Sequence, residues 1–283
     1  MKRMILAGLL VALAGAPGMM AQKKEEPQKK EEAQQGPRPK SKGEQDALVA
    51  MFNAQSKPDD EIAACETLLT KYADTDFKDT ALFFEATAYQ QKGDNEKAQV
   101  FAERALAANP KNFQASLMLS EMIAQHTREN DLDKEEKLAK AEKYGNETIA
   151  TLNAAAKPNP QLTDQQWEDA KKDLIARTHD ALGMAALVRK KYDVAINEFK
   201  MSVDGAAHPE PAYQVRLASA YNAAGKYDDA IATADKVMAG AEIPTQIKQV
   251  AQSIRAGATV AKQKAAGGGG SSTAPPQVEV KKQ

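Results

Sequence analysis

The stretch KYDVAI at 191–196 returns as KYDDAI at 226–231, thirty-five residues later, with one letter changed. A hexapeptide can recur by accident, so the test is whether features outside it recur at the same offsets. They do. Gly183 stands twelve residues before Ala195, and Ala218 stands twelve before Ala230. A third segment, ALFFEATAYQQKGDNEKAQVFAERALAANP at 81–110, sets Ala86 twelve before Ala98. Tyr89 follows Ala86 by three, Tyr221 follows Ala218 by three, Phe199 follows Ala195 by four, and Pro110 closes the third segment. The chain is built from a repeated unit.

Outward from these units the sequence reads as helix after helix. Ser41 with Glu44 and Thr163 with Gln166 have the spacing of a capping box, and Asp133 with Glu136 has a similar one. Gly93, Gly225, Lys57-Pro58 and Asn109-Pro110 read as breaks between helices. No segment alternates with a period of two. The pattern predicts helices over 43–55, 59–72, 77–91, 94–108, 112–127, 133–154, 163–190, 192–204, 210–223, 227–239 and 244–264. Gly145 reads as an interruption, and Trp167 lies in an added helical extension.

Composition fits that reading. Of 283 residues 42% are hydrophobic but only 5% aromatic, so much of the apolar content is alanine, which favours close helix–helix contact. A formal net charge of −1 gives no reason to expect a nucleic-acid partner. Cys65 is the only cysteine, so no intramolecular disulfide forms, and its place in EIAACETLL reads as a buried thiol.

The ends differ from the middle. Lys2 and Arg3 precede an apolar run from Met4 to Ala16, and small residues lead to Ala21, the grammar of a secretory signal at 1–21. The alternative is an uncleaved anchor. An exported chain, periplasmic or secreted, with no integral membrane segment after cleavage is the expectation. Residues 22–43 are a charged tether too poor in apolar side chains to fold, and 266–283 a Gly/Ser/Pro tail. The folded part is expected over 44–265.

At the shared offsets the chain resembles the tetratricopeptide repeat, a helix pair of about 34 residues with small, aromatic, Ala, bulky and Pro positions at fixed spacing. The resemblance is clearest over 79–110, 176–209 and 211–244, and weaker over 44–76 and 112–157. It departs at Ala186, where an aromatic is usual. It implies an all-α fold of antiparallel helix pairs stacked into a right-handed superhelix. In that fold Ala86, Gly183 and Ala218 would approach Ala98, Ala195 and Ala230, while Tyr89, Tyr221 and Phe199 fill the remaining space. The helix from 244 would cap the stack.

The resemblance also implies a concave surface lined by the first helix of each unit and binding a protein or peptide. Carried over by position, the lining is Phe83, Thr87, Gln90 and Gln91 in one unit. Asp180, Met184 and Leu187 follow in the next, then Val215, Ser219 and Asn222. This set mixes apolar anchors with amides and hydroxyls suited to an extended backbone. It lacks the Lys/Asn arrangement that holds a C-terminal carboxylate.

Catalytic signatures are missing from the sequence. It has no HExxH, GxSxG, GxxxxGK or paired CxxC, and His126, His179 and His208 are scattered. Asn146-Glu147-Thr148 is a glycosylation sequon. No cofactor is expected, and the reading is a noncatalytic adaptor of the cell envelope. The alternative is a structural subunit of an export, pilus or outer-membrane assembly.

Overall fold

A computed structural model describes residues 37–267. The signal expected at 1–21, the tether up to residue 36 and the tail from 268 onward lie outside the described residues. Within them the chain forms eleven helices and no strand. They are α1 (Lys42–Asn53), α2 (Pro58–Lys71), α3 (Lys78–Gln91), α4 (Asn95–Ala108), α5 (Phe113–His126) and α6 (Lys134–Ala154). After these come α7 (Asp164–Val188), α8 (Tyr192–Gly205), α9 (Pro211–Ala223), α10 (Tyr227–Ala239) and α11 (Thr245–Gly267). The fold is all-α, and each helix packs on its neighbours in the chain.

The helix starts show how local chemistry sets the boundaries. Thr163 and Gln166 make a full capping box, each side chain accepting from the other's backbone N–H. Ser41 accepts from the Glu44 amide, but the reciprocal arm has moved. The Glu44 carboxylate instead accepts from the Lys40 amide at 2.6 Å and from the Thr75 hydroxyl at 2.6 Å. Asp133 does not cap α6; its carboxylate pairs with Lys137 at 2.9 Å instead. Asp94 and Asn112, which the spacing rule passes over, cap α4 and α5.

Three turns at the ends of α3, α7 and α9 use a left-handed residue. Two are glycines, Gly93 at φ 78 and Gly225 at φ 74, and the third is Lys190 at φ 61. A Cβ in that region costs about 1–2 kcal/mol, part of which glycine returns through greater freedom in the unfolded chain. Lys190 also pairs with Glu129, but both groups are more than half exposed, so that pair adds little. Lys190→Gly is expected to raise stability by about 0.5–1 kcal/mol in urea unfolding. A loss would mean that the Glu129 pair outweighs the backbone strain.

Packing depends on small residues. Ala86, Ala98 and Ala102 are fully buried and form one cluster with Met118, Leu119 and Met122 of α5. Tyr89 borders that cluster and stacks on Phe101 with ring centroids 5.2 Å apart. Ala195 and Phe199 of α8 join Ala186 of α7 and Leu217 and Ala220 of α9, with Tyr221 at the edge. Ala186 is buried there, so alanine closes the gap where the resemblance leads one to expect an aromatic. Ala218 and Ala230 are fully buried, and Pro110 is exposed between α4 and α5.

Gly145 does not interrupt α6. The helix runs through it, and a Cβ there would lie 2.8 Å from Leu182 Cδ2. The glycine lets α6 and α7 touch. Beyond that contact both helices continue, and Trp167 and Leu174 of α7 join Leu152 of α6 and Leu117 of α5 in a separate cluster. The extension therefore has its own small core.

Candidate functional site

The row of first helices (α3, α5, α7 and α9) carries all ten candidate lining residues, but they are not equivalent. Gln90 and Gln91 are exposed at the end of α3. Phe83 is half-buried, wedged between the cluster shared with α2 and the one shared with α5. Thr87 is half-buried, and its hydroxyl donates to the Phe84 carbonyl at 2.8 Å. Met184 and Leu187 are half-buried against the α7–α8–α9 cluster. Ser219 and Asn222 are half-buried on α9, with Asn222 Oδ1 enclosed and unpartnered.

Two of the ten are interior groups. Val215 packs with Ala218, Ala234, Val237 and Ala251, beneath α10 and α11. Asp180 is 6% exposed and accepts from Arg216 of α9 at 2.6 Å. Position in the unit predicts a lining role for both. Val215 is turned toward α10 and α11, and Asp180 toward α9.

The strongest feature of this row escaped the sequence reading. Arg177 of α7 grips Glu121 of α5 in two-pronged fashion, Nε to Oε1 at 3.0 Å and a terminal nitrogen to Oε2 at 2.7 Å. One turn along α7, Asp180 takes Arg216. Two ion pairs thus bind α5 to α7 and α7 to α9, forming a polar seam along three consecutive first helices. Each arginine keeps about a third of its side chain exposed, 36% for Arg177 and 35% for Arg216. Burial pushes the Asp180 carboxyl up to about 6, while the Arg216 guanidinium pulls the other way. Its second oxygen, Oδ1, has no partner. Because both cations are paired, the seam offers no free positive charge to an acidic ligand.

The histidines are structural neighbours of carboxylates or backbone. His179 of α7 meets Glu198 of α8 at 2.8 Å, His208 meets Asp173 at 2.8 Å, and His126 Nδ1 meets the Met122 carbonyl at 2.7 Å. Among the described residues no group of three or more His, Cys, Asp or Glu could hold a metal ion. Nor is any described helix long and apolar enough to cross a membrane. The sequon lies within α6, with Asn146 exposed and its threonine turned inward. Thr148 is fully buried, its hydroxyl shared between the Tyr144 carbonyl and Ser116.

Residues 80–112 match the family model described as the tetratricopeptide repeat. Among curated proteins nothing matches. Among solved structures the chain is similar to a thermophilic tetratricopeptide-repeat protein from Thermus thermophilus, at 19% identity and a TM-score of 0.46. That match covers 75% of this chain and 98% of the other. It is also similar to a tetratricopeptide repeat protein from Parabacteroides merdae, at 16% identity and a TM-score of 0.40, covering 82% and 95%.

Proposed function

We propose that this tetratricopeptide-repeat chain is a noncatalytic protein–protein interaction scaffold of the cell envelope, holding a peptide or partner segment along its row of first helices. The observation that carries this reading is the mixed lining of that row. Phe83, Met184 and Leu187 keep part of their apolar surface open, and Gln90, Gln91 and Ser219 offer amides and a hydroxyl beside them. Apolar anchors with convergent hydrogen-bonding groups are what an extended backbone needs for affinity and register. The seam of Glu121, Arg177, Asp180 and Arg216 holds α5, α7 and α9 together along that row. A preorganised floor lowers the ordering cost of binding.

Envelope residence rests on Lys2, Arg3 and the apolar run from Met4. Mass spectrometry of the chain from its host is expected to find a mature N-terminus at Gln22. A retained Met1 in a cytoplasmic fraction contradicts export.

The interaction itself is tested by cross-linking the chain in its host and identifying the joined peptides. Cross-links from partners are expected to fall on α3, α7 and α9. Capture is expected to drop by about tenfold or more in a Phe83→Ala plus Met184→Ala variant, and several-fold in Gln90→Ala plus Gln91→Ala, whose side chains are exposed. The second pair separates lost contact from lost packing. Cross-links confined to the chain ends, with capture unchanged in both variants, would favour a structural subunit tethered by its tails.

A further inference from the structure

Two acids sit where the stack should be apolar. Glu61 of α2 is 1% exposed and Glu85 of α3 is 2% exposed. They flank the buried Cys65 thiol, which burial pushes up and the two acids push further. Among the described residues neither carboxyl is bonded to a cation, and Glu61 Oε2 is enclosed with no hydrogen-bond partner. The charges around them do not compensate. Glu66 of α2 and Arg104 of α4 act on Glu85 in opposite senses. On α1, Glu44 is already engaged by Thr75 and the Lys40 amide. Burial alone drives Glu61 up to about 7, and burial foremost drives Glu85 up to about 7.

Their position gives this a mechanical meaning. Both lie beside the cluster that joins α1, α2 and α3, made of Leu48, Met51, Cys65, Leu68, Phe77, Ala81 and Phe84. The α1–α2 pair ends the stack among the described residues and is held to the rest through α3. An ionised carboxylate there regains full hydration only if α2 parts from α3, and that parting breaks one interface, not two.

We propose that the α1–α2 pair is a proton-latched end of the stack, closed on α3 while Glu61 and Glu85 are neutral and released from it as they ionise. The inference goes beyond the scaffold reading and does not depend on it. The sign follows from linkage. Both acids bind protons more tightly in the closed form than in the open one, whose value is the ordinary 4.5. Closure is therefore strongest at or below that value. It weakens as pH rises toward about 7, and above that the loss is complete.

The test is amide hydrogen exchange on the full chain beside its Glu61→Gln plus Glu85→Gln variant, at about pH 4.5 and about pH 8. At the lower pH the two chains are expected to protect α2 and α3 nearly alike. At the higher pH the unsubstituted chain is expected to exchange there about tenfold faster or more, with α7 and α8 alike in both. An equal ratio at both pH values overturns the proposal. Should the variant not fold, the natural chain still decides. Its infrared spectrum is expected to lose a buried neutral-carboxyl band between about pH 5.5 and pH 8 as Cys65 becomes open to maleimide. A band that stays, or a Cys65 that remains closed, overturns the proposal too.

Discussion

Gly183→Ala is expected to cost the fold about 2–4 kcal/mol, although on an isolated helix the same change would add about 1 kcal/mol of stability. A Cβ at 183 would stand 2.7 Å from Phe199 Cδ1 and Cε1 and 3.0 Å from Cζ. The obstacle is the body of an aromatic ring that is itself fully buried, so no flexible tip can move aside. To admit one methyl, α7 and α8 must separate, and the cluster they share with α9 loses contact along its length. Urea unfolding of the single variant, of Phe199→Leu and of the double variant measures the effect. Phe199→Leu alone is expected to cost about 1–2 kcal/mol through the volume it removes. In the double variant the two losses are expected to fall short of their sum, because each change relieves the other. A neutral or stabilising Gly183→Ala would mean that the helices do not meet at this point.

That contact also shows what the sequence could and could not say. The offset from Gly183 to Ala195 marks a close approach, and both residues are buried, but the atom that fills the space opposite Gly183 belongs to Phe199, four residues further on. Periodicity identifies the faces; the partner across a face depends on the stagger of two helices, which no single helix encodes. The same limit hid the seam. Glu121 and Arg177 lie 56 residues apart, and each looks like an ordinary surface charge until α5 and α7 are laid side by side. Glu61 and Glu85 were hidden for another reason. A glutamate on a helix is normally solvated, so burial of these two depends on the tertiary stack overriding local preference. Gly145 erred in the opposite direction. A glycine within a helix reads as a weak point, but here it is the place where Leu182 comes within 2.8 Å of the missing Cβ. By contrast the helix boundaries were nearly all legible, since they rest on caps and turns that act over three or four residues.

Truncation after Pro244, which removes α11, is expected to destabilise one end of the molecule and leave the other intact. Ala251 of α11, with Ile247 and Ile254 beside it, covers Val215 and Ala218 of α9 and Ala234 and Val237 of α10. Uncovering that face returns several aliphatic side chains to water, at about 3–6 kcal/mol. Arg255 also leaves Asp235, but both are about half exposed and contribute little. What happens next depends on how the parts are coupled. In a stack each pair leans only on its neighbours, so the α9–α10 pair would keep its contacts with α7 and α8 alone and open far more often than before. Hydrogen exchange of the truncated chain is expected to show amides of α9 and α10 losing protection by about a hundredfold or more, with α3 and α4 unchanged. A protein with one shared core would respond differently, because removing a piece lowers the stability of every part by the same amount. Uniform loss from α1 to α10 would therefore contradict the linear coupling on which a graded, repeat-by-repeat interaction surface depends.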